Sequence, residues 1–294
     1  MTIRQRNNHS SVIRQRTSAP ERVHLTPTAR TNSSVAPSMA SAAPQGTAWN
    51  AALELGYRQA LELFVGAQEF PADAPLIAVI VPVLGRPARV RPLVESFTRA
   101  TLPGDATLVF VAQTSDVGEV AAIRACGQEP VLVGDVDRSW ARKINRGYES
   151  TSAPWLLLGA DDLEFRCGWV DTVRKMLRTH AGVIGTNDLG NEGTMKGTHS
   201  THPLVRRAYA DHCGTVDERG RVVHQGYDHN FPDTELVATA VKRGLYVHRV
   251  DCVIEHLHPA WGKGASDQIY ALGQKHVQRD QALFLQRAAR YGLK

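Results

Sequence analysis

Between residues 76 and 184, short apolar runs alternate with stretches of helical periodicity, and this alternation limits the fold more than any other feature of the chain. The strand-like runs cover 76–83, 107–112, 131–133, 155–158 and 183–184. Helical patterns lie near 90–100, 117–126, 141–148 and 168–179. Unbroken apolar runs suit strands buried on both faces, and a helix between successive strands is the connection that parallel pairing needs. The fold class is therefore α/β, a mainly parallel sheet with helices on both faces. Further on, 233–243 reads as a helix closed by Gly244, 245–254 as a returning strand, and 266–290 as a polar, peripheral helix.

The run Trp155, Leu156, Leu157, Leu158, Gly159, Ala160, Asp161, Asp162 is a buried strand that ends on two acids. Ligands of open α/β sheets sit outside the carboxyl ends of strands, where a carboxylate pair can share a divalent cation with phosphates. An Asp-rich turn reads the same way from sequence alone, because Asp also favours turns.

Charge sets aside one broad function class. The chain of 294 residues carries a formal net charge of +5, and all of it lies in residues 1–45, with six arginines against Glu21. The rest holds 28 basic and 28 acidic residues. A neutral body argues against a wide basic nucleic-acid face, although the tail keeps that option open. Residues 1–45, rich in Ser, Thr, Pro and Arg, read as a disordered basic tail, with a transit peptide as the other reading of that composition. An amphipathic helix is expected over 46–70, from Ala52, Leu53, Leu55, Ala60, Leu61 and Phe64. A catalytic domain over 71–260 and a helical tail over 261–294 complete the expected organisation. Cys126, Cys167, Cys213 and Cys252 lack metal-finger spacing, and no run approaches a membrane span, so the expectation is a soluble, cytoplasmic protein without a membrane partner.

Ten of the twelve histidines fall between His180 and His276. In an extended 252–258 segment, His256 and His258 share the side of Cys252 and Ile254, so either imidazole can complete a metal site begun by Asp161, or both are surface residues at a strand end. Pro232, Asp233, Thr234 and Glu235 open a helix. Their acids suit the helix dipole, and one of them in a cleft can act as a general base. Arg138, Arg142, Lys143 and Arg146 suit either a diphosphate or a solvated helix face. The glycines at 190, 193 and 197 mark either a mobile lid or a passive loop.

Taken in order, 77–85, Ala141 to Gly147 with Asn145 and Gly147, Leu158 to Asp162, and Pro232 to Leu236 resemble the motifs of family-2-like glycosyltransferases of the GT-A fold; the compact size and lack of a membrane segment are similar to the small soluble type encoded by bacteriophages. The resemblance covers about 75–260. It implies a nucleotide-sugar donor, a divalent cation (Mn²⁺ or Mg²⁺), and transfer to a hydroxyl, usually with inversion. It places the catalytic base on Asp233, with Glu235 next. Donor contacts fall on Pro82, Arg142, Lys143, Asn145 and Asp161, and metal contacts on Asp161, Asp162, His256 and His258. The implied acceptor is a protein, a glycan or a modified DNA base. Two departures stand out: Gly159 occupies the first acidic position of the metal motif, and Ala112, Gln113 and Thr114 stand where an acidic pair would read the nucleobase. A nucleotidyltransferase is the alternative enzyme, although the turn 84–87 has one glycine where a phosphate loop needs several. A nucleic-acid-binding or scaffold protein acting through the Arg tail is the non-enzymatic alternative.

Overall fold

In a computed structural model, residues 75–293 are described. The basic tail and the helix expected over 46–70 lie outside the described residues.

Strand β1 (Ile77–Pro82) is buried at all six positions, because strands flank it on both sides and helices cover both faces. Parallel partners are β2 (Ala106–Gln113) on one side and β4 (Trp155–Leu158) on the other. The short β3 (Val131–Val133) extends the sheet beyond β2. Past β4 the order continues through β7 (Leu204–Arg206), β6 (Val183–Asn187), β8 (Tyr246–His256) and β5 (Leu163–Phe165). Here β7 runs antiparallel to both β4 and β6, and β5 antiparallel to β8. The expected mainly parallel sheet is present, with β5 and β7 as antiparallel insertions of three residues each, too short to show a period of their own.

Side chains of successive strand residues point to opposite faces, and the apolar core divides accordingly. Ala78, Ile80, Leu156 and Leu158 pack with α3 (Trp140–Glu149) and α7 (Pro232–Lys242). Ile77, Val79, Trp155 and Leu157 pack with α1 (Pro87–Ala100), α2 (Val117–Ala125) and α4 (Trp169–Met176). Gly147 lets α3 approach β1 closely: a Cβ there would lie 2.2 Å from Ile80 Cγ2. Two short helices, α5 (Glu192–Met195) and α6 (Arg207–His212), lie in connections.

The C-terminal helix α8 (Gln268–Tyr291) departs from the expectation of a peripheral element. Its buried positions are Gly273, Asp280 and Arg287, a polar stripe with a seven-residue repeat. Each buried charge has partners outside the helix: Asp280 accepts from the amides of residues 228–230, and Arg287 pairs with Glu235 and Asp217. Among the described residues, no helix is long and apolar enough to cross a membrane.

Candidate active site

The carboxyl ends of β1, β2 and β4 open into a cavity of about 880 Å³ whose lining includes Pro82, Gln113, Lys143, Asp161, Asp233 and Tyr270. This is where ligands bind open α/β sheets, because helix starts and loops converge there.

Asp161 is almost wholly buried, and its Oδ1 lies 3.2 Å from Arg86 Nη1. Burial, reinforced by the charge of Asp162, pushes its carboxyl up to about 6, with Arg86 opposing. Arg86 itself is held from several sides. Its amide donates to Glu119 Oε1 (2.5 Å), Nη2 donates to Asp267 Oδ1 (2.7 Å), and the guanidinium lies 4.0 Å above the Tyr270 ring. Gly85 N donates to Asp116 Oδ2, so Asp116, just beyond β2, pins the turn after β1.

Asp162 is spoken for. Burial works against its charge, yet His256 Nε2 at 3.2 Å and the Tyr270 hydroxyl at 2.6 Å hold it well below the usual carboxylate range. The Asp162 carboxylate accepts from His256 Nε2, and the buried Nδ1 of that ring has no partner among the described residues. His202 packs edge-on against that ring at 4.6 Å, and its Nδ1 lies 2.9 Å from the Leu158 carbonyl. Burial, and then the neighbouring His256, push His202 down to about 4.

Asp233 sits in the first turn of α7, behind Pro232 at the helix start. Its Oδ2 lies 3.2 Å from His199 Nε2. Burial favours the neutral acid, but the hydrogen bond and charge of His199, with the Thr234 amide, bring the carboxyl below its ordinary value. His199 is raised in turn, Asp233 outweighing burial. The glycine-rich segment before it is tied down: Asp188 accepts from Gly190 N, Asn191 N, Thr194 Oγ1 and Thr201 Oγ1. This segment carries His199 to the site.

No protein-family model matches the sequence, and no curated protein matches it. Solved structures do. A mannosyltransferase from Pyrobaculum calidifontis, in complex with GDP-Man and Mn²⁺, is 15% identical over 71% of this chain and 68% of its own, with a TM-score of 0.50. Glucosyl-3-phosphoglycerate synthase from Mycobacterium tuberculosis, in complex with Mn²⁺, UDP and phosphoglyceric acid, is 13% identical over 80% of this chain and 83% of its own, with a TM-score of 0.53. The chain has the GT-A fold. At these identities the likeness is one of fold, and roles must be argued from this chain's own side chains.

On this GT-A framework the expected residues separate into two groups. Pro82, Lys143, Asp161, Asp162, His256, His258 and Asp233 line the cavity. Arg142 and Asn145 do not. Arg142 lies 3.7 Å from Asp137 on the outer side of α3. Asn145 is fully buried, donating to Val223 O and accepting from Val222 N, so it anchors the 222–223 segment and contacts no donor. Lys143 reaches the cavity floor, but its ammonium donates to Val83 O at 2.6 Å, and burial drives it down to about 8.

Glu235 needs a larger correction. Both carboxylate oxygens take hydrogen bonds from Arg287, and the Tyr227 hydroxyl donates to Oε2 at 2.7 Å. It is a structural ion pair between α7 and α8, away from the cavity lining. Arg287→Met would leave that buried charge uncompensated and is expected to cost about 3–5 kcal/mol. Chemical denaturation reads this directly, and an unchanged midpoint would reject the assignment.

Gly159 has a steric reason to differ from the family motif. A Cβ there would lie 2.8 Å from Ile80 O, so no acidic side chain fits on this backbone. His258 is also spent: its Nδ1 accepts from Ala260 N at 3.1 Å, capping the turn that follows, and its remaining nitrogen carries the proton of the neutral ring. Among the described residues, no group of three or more His, Cys, Asp or Glu gathers into a metal cage. A cation bound here would take most of its shell from phosphate and water, with Asp161 and His256, which both line the cavity, as the side chains that could reach it. Arg86, His199 and Tyr270 were not singled out by sequence, because their partners lie 34–108 residues away.

Proposed function

We propose that this protein is a cation-assisted glycosyltransferase that moves a sugar from a nucleoside diphosphate to a hydroxyl of a protein, glycan or modified nucleobase. One observation carries this reading: a carboxylate held ionised by an imidazole, Asp233 with His199, shares a cavity with the acid pair at the end of β4.

In this reading the nucleotide lies across the strand ends. Gln113 Nε2 donates to Asp135 Oδ1 at 3.1 Å, which fixes the amide at the place where the base would stack beyond Pro82. Asp161 and His256 would hold the divalent cation, which when bound neutralises charge on the leaving diphosphate. Arg86 adds a fixed positive charge beside the same acid. Asp233 accepts the proton of the acceptor hydroxyl as its oxygen bonds to the anomeric carbon and the bond to the diphosphate breaks. A single displacement of this kind inverts the anomeric centre. Tyr270 and the α8 turn that carries it close one wall, which limits the access of water.

The test is thermal melting of the full chain with UDP-glucose or GDP-mannose, with and without Mn²⁺. Saturation at 100 times Kd is worth about 2.7 kcal/mol, enough to raise Tm by several degrees. The expected result is stabilisation by a nucleotide sugar that depends on the cation. If neither donor shifts Tm and the protein instead releases pyrophosphate from a nucleoside triphosphate and a sugar phosphate, the nucleotidyltransferase reading replaces this one.

A further inference from the structure

Asp280 lies in the middle of α8, 47 residues beyond Asp233, and is fully buried. Its carboxylate accepts three successive backbone amides, those of Asp228 (3.1 Å), His229 (2.9 Å) and Asn230 (2.9 Å). Asn230 returns the contact, its side chain donating to Gly273 O on the same helix at 3.0 Å. The next residue, Phe231, has φ +69°, a left-handed conformation that a residue with a Cβ holds only when its surroundings enforce it. Its ring stacks on Phe284 of α8, with centroids 5.6 Å apart and planes 18° from parallel. Pro232 and Asp233 follow at once, as the first turn of α7.

The chain thus enters α7 through one strained residue, and α8 holds both that residue and the segment before it. Three amides converging on one carboxylate fix the path of 228–230, and the aromatic stack fixes the Phe231 side chain. The direction in which Asp233 leaves the helix start follows from these two restraints. We propose that Asp280, together with Phe284, is a positioning element for the Asp233 carboxylate, setting its distance to His199 and to the acceptor hydroxyl. This rests on the reading of Asp233 as the base. It gives α8 a catalytic purpose that the helix's polar surface conceals.

A positioning role differs from a merely structural one in what it moves. If Asp280 acts through Asp233, its loss should appear at His199, whose imidazole is raised by its pairing with Asp233. The experiment follows the His199 titration by NMR in the full chain for wild type, Asp233→Asn, Asp280→Asn and Phe284→Ala. Wild type should titrate above an ordinary histidine, Asp233→Asn should lose that elevation, and Asp280→Asn should lose most of it. In parallel, nucleoside diphosphate release is measured with UDP-glucose or GDP-mannose. Asp280→Asn should lower kcat by about 10- to 100-fold with donor KM little changed. The double variant should be no slower than Asp233→Asn alone, since the effect is routed through the missing carboxylate.

Wild-type His199 titration and wild-type kcat in Asp280→Asn would overturn the proposal, as would losses that multiply in the double variant. Where Asp280→Asn fails to fold, Phe284→Ala carries both readouts, because it deletes the stack without stranding a charge. Normal turnover by Asp233→Asn would instead remove the base assignment, while the His199 titration still decides whether α8 places Asp233.

Discussion

Asp233→Asn is expected to keep nucleotide-sugar binding and to lose transfer by about 10²- to 10⁴-fold. The amide has the shape of the carboxylate and can still meet His199, but it cannot take a proton from a hydroxyl. Donor affinity should survive because the strand-end contacts, Gln113 with Asp135 and Arg86 with Asp161, do not involve α7. The pH behaviour follows from the pair. Asp233 is held below its ordinary value, so in the folded protein it is ionised throughout the neutral range, and the stability it contributes is lost only as pH falls through that depressed value. His199 is raised, so its contribution is full below the ordinary histidine value and is lost as pH rises through the elevated one. Both terms disappear in the Asn variant, whose stability should therefore fall less on the alkaline side than that of wild type. Calorimetric donor titration and steady-state turnover separate binding from chemistry. Wild-type turnover would move the base elsewhere, and Glu235 could not inherit the role, because Arg287 and Tyr227 occupy its carboxylate.

Which parts of this site could be read from sequence depended on whether a residue's partner was local. The apolar run 155–158 announces a buried strand, and the acids after it fall at its carboxyl end, so Asp161 is legible from its immediate neighbours. Asp233 is legible for the same reason, since a Pro followed by acids marks a helix start. Glu235 looks equivalent two positions later, yet its fate is decided by Arg287, 52 residues away. The α8 stripe is hidden by chemistry: hydrophobic periodicity cannot register Gly273, Asp280 and Arg287, because two of the three are charges buried against specific partners. His258 matches the face of His256 by strand alternation, but the strand ends at His256, and His258 turns to cap the residues after Pro259. At Gly159 the reason lies in a neighbouring strand, the carbonyl of Ile80.

Asp161→Asn should make the protein more stable and less active at once. In the folded chain this carboxyl climbs from an ordinary 3.8 to about 6, driven by burial and by Asp162. For an acid whose folded value is raised, the ionised form opposes folding above that value, and the cost is gone below the unfolded one. A climb of this size corresponds to on the order of 3 kcal/mol at neutral pH. The Asn variant should therefore melt several degrees higher than wild type at pH 8 without added metal, and little or no higher at pH 4, where the folded acid is already neutral. Mn²⁺ should raise the wild-type Tm at pH 8, because a bound cation offsets the same repulsion, and should leave the variant's Tm almost unchanged. Transfer should fall by about 10²-fold or more if the cation supplies several kcal/mol of charge stabilisation at the leaving diphosphate. A variant less stable than wild type at pH 8 would show that the Arg86 contact outweighs burial at this position. A variant that still responded to Mn²⁺ and transferred at the wild-type rate would move the cation away from the end of β4.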